Sequence, residues 1–447
     1  MNLKNLTVIV GANATGKSNL IKGIQFLSDL VTLGLKEAIY RRGGYTEIIP
    51  KMHKKAYGLI IRFSIDFELS PPRDWAHLGL PPLKASYVIG ITQSKQRNLR
   101  IVQEVLTVKH CLLNAYFFKE GIDRNNVKEK LSPEIVESLI DTDIKLIRKG
   151  ENVNYEINFD YSERNIQLLY YWLGLEDFLE EKVTSQKIGV TQIKKLAQYT
   201  INTIRPENDK RYELILSSDR FIENFSIHFR RIVEEISSFA KYDLLINELR
   251  QEQSVTKSQR VSSSGDNVPG VTKRIMGKDK VEAFERILTT MANISPYFKT
   301  VRSKSLRAGK EYLLFSEIFG GKDIEAWESS DGTLRAYSIL LAIETHPEGS
   351  IVMIEEPEHG LHPWAIKDLI LHIREAVKVR DIQVIITTHS QQVLECIEPS
   401  ELLITERDAS GTRFISVADF NFREKITMGE IGDLWVRGLL KGVPISL

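Results

Sequence analysis

The sequence predicts an α/β fold of the P-loop NTPase kind, in which a sheet carries a phosphate-binding loop near one end of the chain and its acidic counterpart near the other. Three observations predict it. Residues 7–20, TVIVGANATGKSNL, set an apolar β-branched run ahead of a glycine-bounded loop. Residues 351–363, IVMIEEPEHGLHP, set four apolar residues ahead of two adjacent carboxylates, Glu355 and Glu356. Residues 381–390, DIQVIITTHS, form a third apolar run that ends at His389.

The first element satisfies G-x-x-x-x-G-K-[ST] at every fixed position, with Gly11, Ala12, Asn13, Ala14, Thr15, Gly16, Lys17 and Ser18 in order. A strand over Leu6 to Val10 feeds the loop, and NLIKGIQFLSDL (19–30) places Leu20, Ile24, Leu27 and Leu30 on one helical stripe. Amides at that helix start would cradle the β- and γ-phosphates of a nucleotide. Lys17 would neutralise them and the Ser18 hydroxyl would ligate Mg2+.

The second element needs an explanation for its paired acids. A strand alternates its side chains across two faces, and an unpaired buried carboxylate is costly, so the strand tip should face a metal, a phosphate or water. Glu355 is placed to hold Mg2+ through water, and Glu356 to polarise an attacking water. A zinc site built from Glu358, His359 and His362 is the competing reading. Its order matches neither H-E-x-x-H nor H-x-x-E-H, and Gly360 and Pro363 mark a turn rather than a helix interior.

Bulk properties narrow the class. The chain has 447 residues, 42% of them hydrophobic and 27% charged, which suits a soluble globular protein of two or three lobes. The net charge of +1 gives no global field toward nucleic acid. Cys111 and Cys396 have no metal-ligand spacing and read as ordinary thiols. No apolar stretch reaches the 18 or so residues of a membrane helix and the start lacks a signal-peptide pattern, so a cytoplasmic protein without membrane partners is expected.

More than three hundred residues separate Lys17 from Glu355, so something large is inserted. Residues 57–69, 86–92 and 99–108 alternate like antiparallel strands, giving residues 1–110 a β-rich flank beside the loop. Residues 111–253 read as a mainly helical lobe, with SPEIVESLIDTDIKLIR, NIQLLYYWLGLEDFLEE and FIENFSIHFRRIVEEISSF as its helices. The triplet Asp141-Thr142-Asp143 reads there as a helix cap or solvated turn. Residues 254–280 are rich in Ser, Lys and Gly and read as a mobile boundary, and 281–447 as the second half of the α/β head.

In that second half, Ser330, Asp331 and Gly332 precede a helix with Leu334, Leu341 and Ala342 on its stripe. They are ordinary N-cap chemistry, and a Ser-x-Gly at a helix start is also an anion site. His389-Ser390 follows the third strand, where Ser390 is a candidate N-cap.

Together VIVGANATGKSNL, SSDGTLR, IVMIEEPEHGLHP, VIITTHS and the tail GDLWVRGLLKGVP (432–444) resemble the ABC-type ATPase heads of the RecF, SMC and OLD group, in particular bacterial predicted ATPases with an AAA-type core. The resemblance covers roughly 1–110 and 255–447. It implies that Gly11 to Asn19 bind ATP, that Ser18 and Glu355 serve Mg2+, and that Glu356 is the catalytic base, acting with Lys17 and His389, the last as switch histidine. It also implies that Ser330, Asp331 and Gly332 are a signature motif completing the pocket of a second protomer, and that His359 to His362 occupy the D-loop.

Three departures stand out. Glu355 replaces the usual Asp, no Q-loop glutamine can be placed, and only five residues precede Leu6. The last predicts a bare sheet edge beside Val8 and Val10, or a native start some twenty residues upstream. There is no coiled coil of SMC length, and too few residues follow His389 for a Toprim nuclease. The implied function is an ATPase whose nucleotide-driven homodimerisation regulates DNA repair or defence against foreign DNA, with Lys51 to Lys55 and Lys273-Arg274 as candidate DNA contacts. The alternative is an ATP-dependent sensor or scaffold that holds and releases a separate effector.

Overall fold

The computed structural model describes residues 1–49, 58–69, 82–109, 143–149, 152–158, 227–277, 281–408, 411–420 and 428–440. Its strands are β1 (Leu6–Val10), β2 (Ile60–Leu69), β3 (Leu83–Gln93), β4 (Leu99–Lys109), β5 (Asp143–Lys149), β6 (Asn152–Asn158), β7 (Ala240–Tyr242), β8 (Gln253–Ser254), β9 (Phe298–Ser305), β10 (Lys310–Glu317), β11 (Ile324–Glu325), β12 (Ile351–Glu355), β13 (Gln383–Thr387), β14 (Leu402–Asp408) and β15 (Gly411–Ser416). The helices used below are α1 (Lys17–Tyr40), α2 (Ile227–Ser238), α3 (Val268–Ile275), α4 (Val281–Ile294), α5 (Asp331–Thr345) and α6 (Pro363–Arg380).

The chain divides into two compact units, Met1–Gln25 with Ser238–Leu447, and Phe26–Ser237. The first is built on a six-stranded sheet ordered β15-β14-β1-β13-β12-β7. Every pairing in it is parallel except β14 with β15. Parallel strands are covered on both faces, which is why β1, β12 and β13 read as nearly unbroken apolar runs rather than alternating ones. The core cluster joins Val8, Val10, Val352, Ile354, Val384 and Ile386 of the strands to Ile287, Leu341 and Leu369 of α4, α5 and α6. Pro363 opens α6, where its missing amide costs nothing.

Register sets the site. Glu355 pairs with Thr387, and Thr387 in turn with Ile9. The tips of β12, β13 and β1 are therefore level, and Glu355 lies two strand spacings, roughly 10 Å, from the end of β1. A smaller antiparallel sheet of β8, β9, β10 and β11 belongs to the same unit. In the second unit β2 to β6 form an antiparallel meander, inside which the Tyr87 hydroxyl donates to Glu104 at 2.8 Å.

The structure departs from the sequence reading in four places. β1 lies between β13 and β14 and its Val8 and Val10 are fully buried, so the expected bare edge is absent. Residues 143–149, expected to continue a helix, are β5, so Asp143 begins a strand. The supposed mobile boundary 254–280 contains α3, whose Val268, Val271 and Ile275 are core residues. The head's main sheet resumes at Ala240 in β7 rather than near residue 281. Within the expected helical lobe, α2 agrees with FIENFSIHFRRIVEEISSF, whereas NIQLLYYWLGLEDFLEE, Cys111 and Asp141-Thr142 lie outside the described residues.

One buried polar centre carries a pH signature. His346, with no exposed surface, sits 3.0 Å from the Tyr242 hydroxyl through Nδ1 and 2.6 Å from the Ser350 hydroxyl through Nε2. Burial, reinforced by the charges of Arg260 and Arg380, pulls its pKa from 6.5 down to about 3. Below pH 6.5 the unfolded chain takes up a proton that the folded chain refuses, so this contribution to stability falls as pH drops toward 3. Urea unfolding at pH 7 and pH 5 should show the native protein losing about 2 kcal/mol more than His346→Gln over that interval. Equal losses would show that His346 is not held neutral.

Candidate functional site

The phosphate loop begins where β1 stops. Ala14 (φ 62°) and Gly16 (φ 113°) adopt left-handed backbone, the kind of conformation from which anion-binding nests are built. α1 starts at Lys17 and puts Ser18 and Asn19, both exposed, in its first turn. The Lys17 ammonium folds back on the loop, donating to the carbonyls of Gly11 at 2.6 Å and Ala12 at 3.0 Å. Burial lowers its pKa, and the Glu356 carboxylate opposes that shift.

The two acids part company at the end of β12. Glu355 keeps strand geometry, with Oε2 3.2 Å from the Lys241 ammonium and Oε1 buried without a hydrogen-bond partner. Glu356 leaves the strand in left-handed backbone (φ 47°), its amide donating to the Thr387 carbonyl at 2.8 Å, and its side chain is exposed. A non-glycine residue in that region is uncommon and costs free energy, and such residues gather at functional sites. His389 follows β13. Burial and the Lys17 charge lower its pKa, and Glu356 raises it. Lys17, Glu356 and His389, scattered over the sequence, are thus within electrostatic reach of one another.

Residues beyond the motifs hold this arrangement. Arg335 in α5 donates through Nη2 to the carbonyls of Glu355 at 3.1 Å and Glu356 at 3.2 Å. The Thr388 hydroxyl donates to Glu358 and accepts from the Ser390 amide, while the Thr388 amide donates to the Ile9 carbonyl at 3.1 Å. Burial raises the Glu358 pKa, partly offset by the bond from Thr388.

Ser330 caps α5, accepting from the Thr333 amide at 3.1 Å, and Ser330 and Asp331 are exposed. Arg250 organises the approach to this helix, donating to the carbonyls of Trp327 at 2.5 Å and Ser329 at 2.7 Å and to the Asp331 carboxylate at 2.6 Å. Gly332 is buried against the turn after β12, the segment His359 to His362, where a Cβ would lie 2.4 Å from the Gly360 carbonyl. Among the motif residues, then, the structure gathers the phosphate loop, Glu356 and His389 at the strand tips. Ser330 to Gly332 are packed instead on Arg250 and the Gly360 turn.

Sequence reading missed Lys241, Arg250 and Arg335. Arg335 is the last residue of the quoted SSDGTLR and could have been flagged, whereas Lys241 and Arg250 are solitary cations with no pattern around them. Of the basic candidates, Lys273 donates to the Ser305 hydroxyl at 3.2 Å and Arg274 to the Ser258 carbonyl at 2.6 Å, and Lys51 to Lys55 lie outside the described residues. Mg2+ fits this donor set: Oε1 of Glu355 is left without a hydrogen-bond partner beside the Lys241 pair on Oε2, and it and the exposed Ser18 hydroxyl are hard oxygen ligands.

A family model described as AAA domain, putative AbiEii toxin, Type IV TA system matches residues 6–76 and 135–395. Similar solved structures include an SMC head bound to the C-winged helix domain of ScpA, 11% identical with a TM-score of 0.37, covering 93% of this chain and 91% of that one. The SMC head domain from Thermotoga maritima is 12% identical with a TM-score of 0.34, covering 93% and 92%. An SMC head domain with an extended coiled coil, bound to the C-terminal domain of ScpA derived from Pyrococcus furiosus, is 12% identical with a TM-score of 0.35, covering 98% and 95%. No curated protein matches the chain.

The Gly332 contact is testable without nucleotide. Because the obstructing atom belongs to backbone, Gly332→Ala should destabilise the protein by about 1–3 kcal/mol in urea unfolding. Gly321→Ala, where nothing lies within 4 Å of the new methyl, should stay within about 0.5 kcal/mol of wild type. Equal stability of the two variants would refute the close packing.

Proposed function

We propose a function from one premise: the chain belongs to the family described as AAA domain, putative AbiEii toxin, Type IV TA system, whose model spans well over half of its length. The fold is a P-loop nucleotide-binding fold, and the reading it supports best is an Mg2+-dependent ATPase. The observation that carries this is the divergence of the acid pair. One carboxylate is fixed at a strand tip with an oxygen free for a cation, and the next is turned toward Lys17 and His389.

In this reading Lys17 leaves the loop carbonyls for the β- and γ-phosphates, which the loop amides also hold. Ser18 and Glu355 would hold Mg2+, which would supply charge neutralisation to the phosphates when bound. Glu356 takes a proton from water as the water oxygen attacks the γ-phosphorus and the bond to the ADP oxygen breaks, leaving ADP and phosphate. His389, whose pKa is lowered by burial and by the Lys17 charge, contributes a hydrogen bond at the γ-phosphate. By the resemblance to ABC-type heads, Ser330 at the exposed start of α5 would meet the γ-phosphate of a second copy, which would make ATP the link of a head-to-head homodimer.

The process served by this cycle is a proposal one step further out. The family description, which names a putative toxin of a toxin–antitoxin system, supports a defence role over repair. It supports equally the second reading, an ATP-dependent scaffold that holds or releases a separate effector protein. Turnover of the purified chain with and without single-stranded, double-stranded and broken-ended DNA separates them: stimulation favours the DNA-regulated ATPase, and its absence, with ATP-dependent capture of a product of a neighbouring gene, favours the scaffold.

Two expectations test the chemistry. Lys17→Ala should lose roughly 3–5 kcal/mol of ATP affinity, since a buried charged contact to phosphate disappears, and unchanged calorimetric affinity would remove the loop assignment. Glu356→Gln keeps side-chain size but cannot accept the proton, so hydrolysis should slow by about 100-fold to 10,000-fold while an ATP-bound dimer accumulates in light scattering. Adding Ser330→Arg should abolish that dimer, and a persistent dimer would overturn the trans role of Ser330.

A further inference from the structure

The hairpin of β14 and β15 has no part in the chemistry above, yet it supplies three side chains to the phosphate loop. The Thr405 hydroxyl is 2.6 Å from the Thr15 hydroxyl and 3.2 Å from the Val10 carbonyl. The Thr412 hydroxyl donates to the Thr15 carbonyl at 2.6 Å, and Arg407 donates to the Ala14 carbonyl at 3.3 Å. We propose that Thr405 and Thr412 are positioning residues that hold the phosphate loop in its nucleotide-binding shape, gripping it through Thr15. The proposal rests on the reading that this loop binds a nucleotide.

A phosphate loop cannot stiffen itself with its own amides, because those amides are the ligand's donors. Inside the loop the one backbone bond onto Thr15, from its amide to the Ala12 carbonyl, is long at 3.4 Å. Rigidity has to come through the carbonyls, and side chains occupy nearly all of them. Val10 accepts from Thr405, Gly11 and Ala12 from Lys17, Ala12 also from Thr15, Ala14 from Arg407, and Thr15 from Thr412. The Lys17 bonds are lost when that ammonium moves to the phosphates. What survives is the hairpin's share, together with the bonds of Thr15 to Ala12, whose hydroxyl the hairpin holds through Thr405.

The proton inventory agrees. The hydroxyls of Thr15 and Thr405 have two protons for three contacts: Thr15 to Ala12, Thr405 to Val10, and the bond between them. In either arrangement that keeps the bond between them, one hydroxyl relays through the other to a loop carbonyl, so removing Thr405 loosens Thr15 as well. The hairpin also dictates the two motif glycines from outside the loop. A Cβ on Gly11 would lie 2.1 Å from the Thr405 hydroxyl, and one on Gly16 would lie 2.3 Å from that of Thr412.

The test uses Thr405→Val and Thr412→Val, which keep shape and remove the hydroxyl, with Thr405→Ser and Thr412→Ser as conservative rescues. Hydrogen exchange of the nucleotide-free protein should be about tenfold faster in each Val variant at the loop amides that are hydrogen-bonded, Thr15 to the Ala12 carbonyl and Asn19 and Leu20 to the Gly16 carbonyl, with the β1 amides of Val8 and Ile9 unchanged. Calorimetric affinity for ATP should fall about tenfold in the Val variants and return in the Ser variants. Loop exchange at the wild-type rate would overturn the proposal, as would loop and β1 amides accelerating together, which is the mark of general loosening. Thr412 is exposed, so its variant is the one to rely on if Thr405→Val does not fold. If wild-type protein binds no ATP, the nucleotide reading fails while the exchange result still decides the brace.

Discussion

A loop that grips phosphate with its backbone must keep its amides unpaired, and the first unit is arranged around that constraint. Unpaired amides cannot also define a shape, so shape is imposed from the strand beneath and the side chains around. β1 is the inner strand that provides the base, clamped on one side by β13 and on the other by β14. Its buried residues leave it no alternative register, since a slip of one residue would exchange faces along the whole strand. Left-handed backbone at Ala14 and Gly16 then curls the loop. The cost of that strained loop with its unpaired amides is offset by carbonyl contacts reaching it from distant parts of the chain.

The same logic governs the acids. Parallel strands with level tips present the ends of β12 and β13 beside the loop, so the first residues past each strand lie next to it. Two adjacent glutamates would point to opposite faces if both stayed in the strand. Glu355 does stay and is held by Lys241 on one oxygen, while Glu356 escapes by adopting left-handed backbone that the Thr387 carbonyl stabilises. The strain at Glu356 is therefore the means by which one sequence step yields two environments.

Much of this was legible in advance because the relevant signals are local. An apolar run meeting a glycine loop marks β1 to the residue, and the breaks at Glu355 and Thr387 mark where buried strands meet polar chemistry. What stayed hidden was either short or conditional on partners. DIKLIRK alternates, but it follows a segment with helical spacing, and the two periods run into each other; its strand identity is settled by pairing with β4 and β6. The stripe Val268, Val271 and Ile275 spans just two turns inside a polar, glycine-bearing stretch, so composition outweighed it. Lys241, Arg250, Thr405 and Thr412 act through contacts with residues tens or hundreds of positions away, and a single sequence has no term for such contacts.

Arg335 connects the two halves of the site. Its guanidinium holds the carbonyls of both acids from a helix whose first turn is the Ser330 end, and its Nε is buried without a partner. A cation whose charge is already disfavoured by burial, with Asp243, Glu358 and Glu356 nearby, is poorly placed to move independently. Gly332 is locked at the same time against Gly360, three residues before the start of α6. The helix start that faces outward and the acids that face the loop are consequently one stiff body rather than two sites joined by a linker. A displacement of Ser330 by a second molecule would be carried by α5 to the backbone of Glu355 and Glu356, because packed interiors pass on small shifts instead of absorbing them. In the proposed dimer the acid pair would sense engagement of the exposed end of α5 through that body, without any contact between the partner and the acids themselves.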